Sequence, residues 1–381
     1  MEIREIETLL AHAGTHWDDR TGAVSMPVYQ TSTFKHPALG QSTGFDYSRS
    51  GNPNRQVLEE LMASVEGGAR GLAFSSGMAA IDCLMRLFKP GDELIVSEDP
   101  YGGTFRLFEK VYRPLGIKAV YADTSQRDAV EGAITEHTRA VFIESPTNPM
   151  LRVADIPSLC ELASVKGILS IVDNTFLTPY FQRPIELGAD IVLYSATKYL
   201  SGHNDVLLGL IITKDKKPGE ELYFYQNSVG AVPGPWDCWL TLRGLKTLPL
   251  RLKRQEENAI KIARWLTTQK RVKKVYYPGL AGHPGHKVLE KQSSGFGAMI
   301  SFEVDDPEIV PKMLSRVKVF LFAESLGGVE SLITYPAVQT HADMDENIRE
   351  QLGINDKLIR LSIGVENIDD LIDDLTFAME A

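Results

Sequence analysis

The chain has 381 residues, 43% of them hydrophobic, and this length and composition indicate two or three domains with a large buried core. Its net charge of −10, without a dense Lys/Arg cluster, argues against nucleic acid or an anionic membrane as a partner, so we expect a small-molecule ligand. The three separated cysteines form no metal-binding motif, and the N-terminal segment lacks the features of a signal peptide, which predicts a cytoplasmic protein without a bound metal.

The first 56 residues show no alternation of strand and helix patterns, and they end in a polar, turn-forming segment at residues 45–53. We predict an N-terminal arm over residues 1–56. Such an arm either packs on a neighbouring subunit or closes over its own chain, and the sequence permits both arrangements.

From residue 57 onward, short apolar runs rich in β-branched residues alternate with helical patterns. Strands that are apolar throughout and separated by helices indicate a mainly parallel sheet covered on both faces, so the fold class is α/β. Ligands of such sheets bind beyond the carboxyl ends of the strands, which directs attention to the residues after each run. The predicted strands are 71–74, 93–96, 118–121, 140–143, 168–172, 191–194 and 207–213.

A stretch rich in glycine and proline at residues 229–235 marks a change in composition, and a charged helical pattern follows it over residues 241–269. We therefore predict a large domain over residues 57–240 and a smaller α+β domain over residues 241–381. Within the smaller domain, the predicted strands are 298–304, 317–323 and 358–363, and the predicted closing helix is 367–379.

Lys198 follows the apolar run at 191–194, and Asp173 closes the run before it. A lysine and a carboxylate at the ends of successive buried strands fit the chemistry of pyridoxal 5′-phosphate (PLP), in which the amine forms a Schiff base and the acid holds the pyridine nitrogen protonated. A pocket would lower the pKa of the lysine towards its working range. The alternatives are a surface lysine and a helix-capping aspartate.

Glycine and hydroxyl side chains follow other strands. Gly77 and Met78 precede a helical stretch at 79–87, so their N–H groups would lie at a helix N-terminus, which favours a phosphate. Ser195 and Thr197 add hydroxyl donors. Taken alone, this set is better explained by a small-residue turn with ordinary caps, and the proximity of Lys198 in sequence shifts the balance towards a phosphate site.

Aromatic and cationic side chains complete the set of candidates. Tyr101 precedes two glycines, which would let its ring stack on a cofactor at close range. Arg360 lies in an otherwise apolar run, where it either forms a structural ion pair or binds an amino-acid α-carboxylate bidentately. Arg49 and Arg106 are candidates for anionic groups or else solvated surface arginines.

These residues resemble a known family, the PLP-dependent enzymes of cysteine and methionine metabolism, which includes cystathionine γ-synthase, cystathionine γ-lyase and cystathionine β-lyase. The resemblance runs from about residue 22 to the C-terminus. Its motifs agree in order and spacing: Tyr-Ser-Arg-Ser-Gly-Asn-Pro at 47–53, Ser-Ser-Gly-Met-Ala at 75–79, Tyr-Gly-Gly-Thr at 101–104, Glu-Ser-Pro-Thr-Asn-Pro at 144–149, Val-Asp-Asn-Thr-Phe at 172–176, Ser-Ala-Thr-Lys-Tyr-Leu-Ser-Gly-His at 195–203, Glu-Ser-Leu-Gly-Gly at 324–328 and Arg-Leu-Ser-Ile-Gly at 360–364. Two positions depart from the pattern: Tyr194 replaces a common histidine, and Asn54 replaces the usual threonine.

The resemblance implies the aspartate-aminotransferase-like (type I) PLP fold and a homotetramer of two active dimers. It implies that Lys198 bonds the cofactor and moves protons, that Asp173 binds the pyridine nitrogen, and that Tyr101 stacks on the ring. The residues implied to hold the phosphate are Gly77, Met78, Ser195 and Thr197, with Tyr47 and Arg49 from the neighbouring subunit. Those implied to hold the substrate are Arg360, Ser325 and Asn148 at its carboxylate, with Tyr47 beside them.

The resemblance also bears on the reaction. Glu324 resembles the glutamate that helps to hold the distal amino-acid end of cystathionine in γ-synthases and γ-lyases, and Arg106 resembles the arginine that receives the distal carboxylate of an acylated homoserine. We therefore expect γ-synthase or γ-lyase chemistry on cystathionine or an O-acyl-homoserine, with cystathionine β-lyase as the alternative.

Two other classes fit the sequence less well. An NAD-type dehydrogenase would carry a GxGxxG turn after its first strand, whereas the glycines at 67–71 come before the first apolar run. A non-catalytic descendant would not be expected to retain the intact set of Lys198, Asp173, Tyr101 and Arg360.

Overall fold

A seven-stranded sheet forms the centre of the larger part of the molecule. The computed structural model describes residues 5–15, 17–342 and 346–380. The strands are β1 (Arg70–Phe74), β2 (Glu93–Ser97), β3 (Lys118–Ala122), β4 (Thr138–Glu144), β5 (Leu169–Asp173), β6 (Ile191–Ser195) and β7 (Gly209–Thr213). They lie in the order β1-β7-β6-β5-β4-β2-β3. The strands from β2 to β6 are parallel, and β7 runs antiparallel to both of its neighbours.

Both faces of this sheet are buried. Along β4, Val141 and Ile143 pack into the core on one face, while Ala140 and Phe142 pack into the core on the other. Successive side chains of a strand point to opposite faces, so a strand covered on both sides is apolar at every position. The apolar runs therefore predicted each of these seven strands, with ends that differ by one or two residues.

Helices supply the cover. They are α1 (Ile6–Ala11), α2 (Pro53–Glu66), α3 (Gly77–Met85), α4 (Gly102–Arg106), α5 (Arg127–Ala133), α6 (Ile156–Lys166), α7 (Thr178–Phe181), α8 (Lys216–Val229) and α9 (Pro235–Leu245). A π-helical turn (Leu107–Tyr112) and a 3-10 turn (Arg113–Leu115) extend α4. The ends of α2 show why such segments are helical: Asn52 caps the first turn by accepting from the Asn54 N–H, and Gly67 ends the helix at a φ of 71°.

A second sheet of five strands is built by the C-terminal part of the chain. Its strands are β8 (Val272–Tyr276), β9 (Met299–Val304), β10 (Leu321–Phe322), β11 (Leu332–Thr334) and β12 (Leu358–Ser362), in the order β10-β11-β12-β9-β8. The helices of this part are α10 (Leu248–Leu266), α11 (His286–Gln292), α12 (Ile309–Arg316), α13 (Glu346–Leu352) and α14 (Ile368–Met379). The strands predicted at 298–304 and 358–363 are β9 and β12, and the predicted closing helix is α14; β8 and β11 were not predicted.

The single helix predicted over residues 241–269 is wrong. Helix α9 ends at Leu245 and α10 begins at Leu248, with Lys246 and Thr247 between them. Pro249 lies in the first turn of α10, where its missing N–H is harmless, and its ring disfavours a continuous helix through the preceding residues. The predicted domain boundary at residue 240 falls inside α9, and the division into domains stays a prediction.

The strand predicted over residues 317–323 is wrong for most of its length, because strand β10 covers two residues. The N–H groups of Lys318, Val319 and Phe320 donate to the carboxylate of Asp374 on α14, at 2.8–2.9 Å. Those three donors are therefore committed to a side chain rather than to a neighbouring strand. An acidic residue more than fifty positions away decides this conformation, and no local pattern reports it.

The N-terminal arm contains helix α1 and two isolated β-bridges, Thr33 with Tyr47 and Ala38 with Gln41. Val24 and Leu39, on this arm, are exposed. None of the helices in the described part of the chain combines the length and the apolar character needed to cross a bilayer.

Candidate active site

A cavity of about 340 Å³ opens at the carboxyl edge of the large sheet, against the loops of the smaller one. The ends of β5 and β6, the start of α3, the loops after β2 and β4, and strand β12 all contribute side chains. Of the candidates from the sequence, eleven line the cavity: Gly77, Met78, Tyr101, Asn148, Asp173, Ser195, Thr197, Lys198, Glu324, Ser325 and Arg360. Sequence reasoning thus located one site from residues that span the chain.

Lys198 lies directly after β6, and its Nζ donates to the Ser325 hydroxyl at 2.9 Å. The pKa of Lys198 is lowered to about 8, chiefly by burial and then by the Arg360 guanidinium, while the charge of Glu324 acts in the opposite direction. The interpretation as a surface lysine is therefore wrong. Ser325 holds its position with a φ of 111°, a left-handed backbone conformation that non-glycine residues adopt at a cost of about 1–3 kcal/mol and that concentrates at functional sites.

Asp173 closes β5 and lines the same cavity as Lys198. Its Oδ1 accepts from the Thr175 hydroxyl at 2.5 Å and from the Thr175 N–H at 3.0 Å. Burial raises the pKa of Asp173, and the two bonds from Thr175 lower it. The following helix, α7, begins at Thr178, so Asp173 is not a helix cap and that alternative is wrong.

The start of α3 forms a tight cradle between strands. Ser76 is the N-cap of this nine-residue helix, and its hydroxyl accepts from the Ala79 N–H at 3.0 Å. A Cβ added at Gly77 would lie 3.1 Å from the Cβ of Ser195, so a side chain there would push β6 and the helix apart by a few tenths of an ångström. The Thr197 hydroxyl accepts from the Leu208 N–H at 3.0 Å, which fixes the turn that carries Lys198.

Tyr101 has a half-exposed ring at the wall of the cavity, with 42% of the residue accessible. A Cβ at Gly103 would lie 2.5 Å from the ring atom Cε1 of Tyr101, and a Cβ at Gly102 would lie 2.2 Å from the Thr340 carbonyl oxygen. The two glycines therefore allow the ring and the 340 segment to pack directly against the first turn of α4. The expected stacking of the ring on the cofactor stays a prediction.

Arg360 is buried in the middle of the small sheet, on β12, with its guanidinium at the cavity. Nη1 donates to Asn148 Oδ1 at 2.7 Å, and Nη2 donates to the Ser325 carbonyl at 3.1 Å and to the Thr334 hydroxyl at 3.2 Å. Burial lowers the pKa of Arg360 to about 10. All three acceptors are neutral, so the interpretation as a structural ion pair is wrong, and a buried guanidinium held this way is suited to bind a carboxylate.

Three candidates lie outside the cavity lining of their own chain. Tyr47 and Arg49 are exposed on the N-terminal arm, where Arg49 Nη1 donates to the Asn227 carbonyl on α8. Arg106 is the last residue of α4, five positions after Tyr101. Their expected roles towards phosphate and distal carboxylate stay predictions.

Several cavity residues were not identified from the sequence. Glu144 is the last residue of β4, Thr175 follows β5, and Thr340 lies between β11 and α13. His341 is fully buried, and burial lowers its pKa to about 3; its Nε2 lies 3.0 Å from the Asn148 carbonyl. The Glu-Ser-Pro-Thr-Asn-Pro motif already contained Glu144, so attention to strand ends alone would have located it.

Tyr194, the residue that departs from the common histidine, lies beneath the site. Its hydroxyl donates to the carboxylate of Glu66 and accepts from Asn174 Nδ2 at 2.9 Å. Burial raises the pKa of Glu66 to about 8. The tyrosine therefore links Glu66 on α2 to Asn174, the residue after Asp173, and does not itself line the cavity.

The chemistry of the cavity fits PLP. It places an amine of lowered pKa, a half-buried carboxylate and the amide end of α3 around one space, and these would meet the aldehyde, the pyridine nitrogen and the phosphate of the cofactor. Within residues 5–15, 17–342 and 346–380, no group of three or more His, Cys, Asp or Glu side chains is arranged to hold a metal ion.

The family description "Cys/Met metabolism PLP-dependent enzyme" matches residues 7–380. The chain belongs to this family. It is 52% identical over 374 residues to a cystathionine γ-lyase of Bacillus subtilis strain 168, covering 98% of this chain and 99% of the relative. It is 53% identical over 378 residues to a cystathionine β-lyase of Lactococcus lactis subsp. cremoris strain MG1363, covering 99% and 100%.

Solved structures of the family have the same fold. A cystathionine γ-synthase from Xanthomonas oryzae pv. oryzae, crystallised with cystathionine, superimposes with a TM-score of 0.97 at 42% identity, covering 100% of this chain and 98% of that one. The predictions of an aspartate-aminotransferase-like PLP fold, of an enzyme of the Cys/Met family and of PLP as cofactor are thereby confirmed.

Proposed function

We propose that this member of the Cys/Met family breaks or forms the carbon–sulfur bond of cystathionine on the γ side, as a γ-lyase or γ-synthase. One observation carries the assignment to amino-acid chemistry: Ser325 joins the two groups that either cleavage needs, accepting from Lys198 through its hydroxyl at 2.9 Å and from Arg360 through its carbonyl at 3.1 Å. The γ side is favoured by Glu324 at the rim of the cavity. An amino acid whose α-carboxylate binds Arg360 would thus present its α-carbon to Lys198.

The residues of the cavity divide the work. Bound PLP supplies a ring that withdraws electrons from the substrate α-carbon. Lys198, with its pKa lowered to about 8, can bond the cofactor and then take and return protons at Nζ. Asp173 would hold the proton on the pyridine nitrogen, and the start of α3 with Ser195 and Thr197 would hold the phosphate. Arg360 and Asn148 orient the substrate carboxylate.

The position of Glu324 favours a substrate with a distal ammonium group. Glu324 is exposed at the rim of the cavity, on the same loop as Ser325, and its charge raises the pKa of Lys198. Arg106, at the end of α4, would receive a distal carboxylate. Cleavage on the β side is the second candidate, because the Lactococcus relative at 53% identity is a cystathionine β-lyase.

Product analysis tests the reaction. The protein is incubated with cystathionine and the keto acid is identified. The proposal expects 2-oxobutyrate with cysteine, or else product from an O-acyl-homoserine and cysteine. Pyruvate with homocysteine would show β-cleavage and contradict the γ assignment, and no product from any of these substrates would contradict the proposed function as a whole.

A pair of glutamate variants tests the distal contact. Glu324→Gln removes the charge at the rim, so we expect KM for cystathionine to rise while kcat changes less. Glu330→Gln is the matched control, since Glu330 lies nearby and accepts from Asn204 Nδ2 outside the cavity lining. Equal kinetics of the two variants would remove Glu324 from the binding site.

We propose in addition that the chain forms a homotetramer in the cytoplasm. Exposed apolar side chains, among them Leu39, Leu207 and Phe224, support burial against other subunits. Arg49 and Tyr47 are exposed on the arm, so a neighbouring subunit could take up both side chains at its phosphate site once Arg49 exchanges its bond to Asn227. Three free, buried cysteines suit a reducing compartment. Native mass spectrometry tests the assembly, with a monomer or dimer mass as the contrary result, and cell fractionation tests the location.

A further inference from the structure

Glu144 is a buried acid at the cavity to which neither the motifs nor the proposed reaction gives a role. It is the last residue of β4 and pairs in register with Asp173, the last residue of β5. Only 6% of its surface is accessible, and it lines the cavity. A buried acid that merely fills space is costly, so its contacts need an explanation.

Each oxygen of Glu144 accepts one backbone N–H from a different loop. Oε2 accepts from Tyr101 at 2.9 Å, and Oε1 accepts from Asn148 at 3.1 Å. The first loop follows β2 and carries the ring that faces the cavity, whereas the second follows β4 and carries the amide next to Arg360. The N–H of Glu144 itself donates to the hydroxyl of Ser97, at the end of β2, at 3.0 Å.

Two further residues contact Asn148. Its carbonyl oxygen lies 3.0 Å from His341 Nε2, and its Oδ1 accepts from Arg360. With Oδ1 engaged by the guanidinium, the amide offers its Nδ2 hydrogens to a ligand. The bond from the Asn148 N–H to Glu144 therefore fixes the backbone of Asn148, and the bond from Arg360 fixes the orientation of its side-chain amide.

We propose that Glu144 is a positioning residue, which sets the distance between the Tyr101 ring and the Asn148 amide so that cofactor and substrate carboxylate fit between them. The proposal rests on the proposed function, because it assigns those two groups to cofactor and substrate. Both oxygens accept hydrogen bonds, so the site needs two acceptor oxygens, which a carboxyl group supplies and an amide does not. Burial and the charge of Asp173 raise the pKa of Glu144, and its two N–H bonds lower it.

The test compares Glu144→Gln with the unmodified holoenzyme. Glutamine has one acceptor oxygen, so either the Tyr101 or the Asn148 N–H loses its partner. We expect kcat/KM for cystathionine to fall about 10- to 100-fold. The visible circular dichroism of the bound cofactor should also weaken, because the ring is held less rigidly, and a merely structural role would leave that signal unchanged.

Glu59→Gln is the matched control. Glu59 is a half-buried acid on α2 that accepts the Ala73 N–H at 2.8 Å and lies 3.5 Å from Arg55 Nε, away from the cavity lining. We expect it to lower thermal stability without changing kcat/KM or the dichroism. Glu144→Gln behaving like Glu59→Gln would overturn the proposal, whereas an unmodified protein without cofactor absorption or product would instead overturn the proposed function.

A measurement on the unmodified holoenzyme covers the case in which the variant does not fold. Hydrogen exchange resolved to single amides should be slow at Tyr101 and Asn148, since both N–H groups are bonded to Glu144. Rapid exchange at either amide would overturn the proposal independently of any substitution.

Discussion

Replacement of Arg360 by lysine tests the way in which the cavity binds a carboxylate. The guanidinium donates to Asn148 Oδ1, the Ser325 carbonyl and the Thr334 hydroxyl, while its planar fork can still face a ligand. A lysine keeps the positive charge but has a single nitrogen, which cannot span these acceptors and grip a carboxylate bidentately. Arg360→Lys should therefore lose at least one charge-assisted bond to the substrate.

The size of the effect follows from that bond. A hydrogen bond to a charged group contributes about 1.5–3 kcal/mol, and every 1.4 kcal/mol is about tenfold, so kcat/KM should fall about 10- to 150-fold. Steady-state kinetics with cystathionine give the value, and the cofactor absorption band shows that PLP remains bound.

Arg254→Lys is the control for that experiment. Arg254 also donates to backbone carbonyls, those of Val365 and Glu366, and it lies outside the cavity lining. It should keep the kinetics of the unmodified enzyme. If Arg360→Lys matched Arg254→Lys in kcat/KM, the carboxylate would bind elsewhere and the argument from the guanidinium would be refuted.

Two further predictions concern pH. Burial lowers the pKa of Lys198 from 10.5 to about 8, and the neutral amine is the form that reacts with PLP. The rate at which cofactor-free protein takes up PLP, measured by absorbance, should therefore rise with pH with a midpoint near 8. A midpoint near 10.5 would contradict this prediction. Burial raises the pKa of Glu66 from 4.5 to about 8, so the protonated form stabilises the fold and this contribution is lost as the pH rises from 4.5 through 8. Between pH 5 and pH 8, the free energy of unfolding of Glu66→Gln should therefore fall by about 3 kcal/mol less than that of the unmodified protein. Melting curves whose midpoints depend on pH in the same way for both proteins would disprove this.

The sequence predicts most of the large sheet and its edge, for a physical reason. Each parallel strand is buried on both faces, so it is continuously apolar, and the first polar residue after it lies at the ligand-binding edge. Asp173, Lys198 and Gly77 were found in this way. The strands of the small sheet are harder to predict from the sequence. On β8, for example, Lys273 and Lys274 are exposed, so the strand has no continuous apolar run.

Contacts between distant residues account for what the sequence does not predict. The roles of Glu144 towards Tyr101 and of Asp374 towards residues 318–320 depend on bonds across forty or more positions. Glu66 and Tyr194 are 128 positions apart, and nothing near Tyr194 in sequence indicates an acid beneath the site. The chemical type of a residue and its position at the end of a strand can be read from the local sequence. The hydrogen-bond partners of Glu144, Asp374 and Glu66 depend on how distant parts of the chain pack together.

Chemical trapping tests the central claim most directly. Borohydride reduction of the PLP-loaded protein makes the bond between cofactor and lysine permanent, and peptide mass spectrometry then locates the modified residue. We expect the pyridoxyl label on Lys198, with no label in Lys198→Ala. A label on another lysine, or no label in a protein that turns over cystathionine, would contradict it.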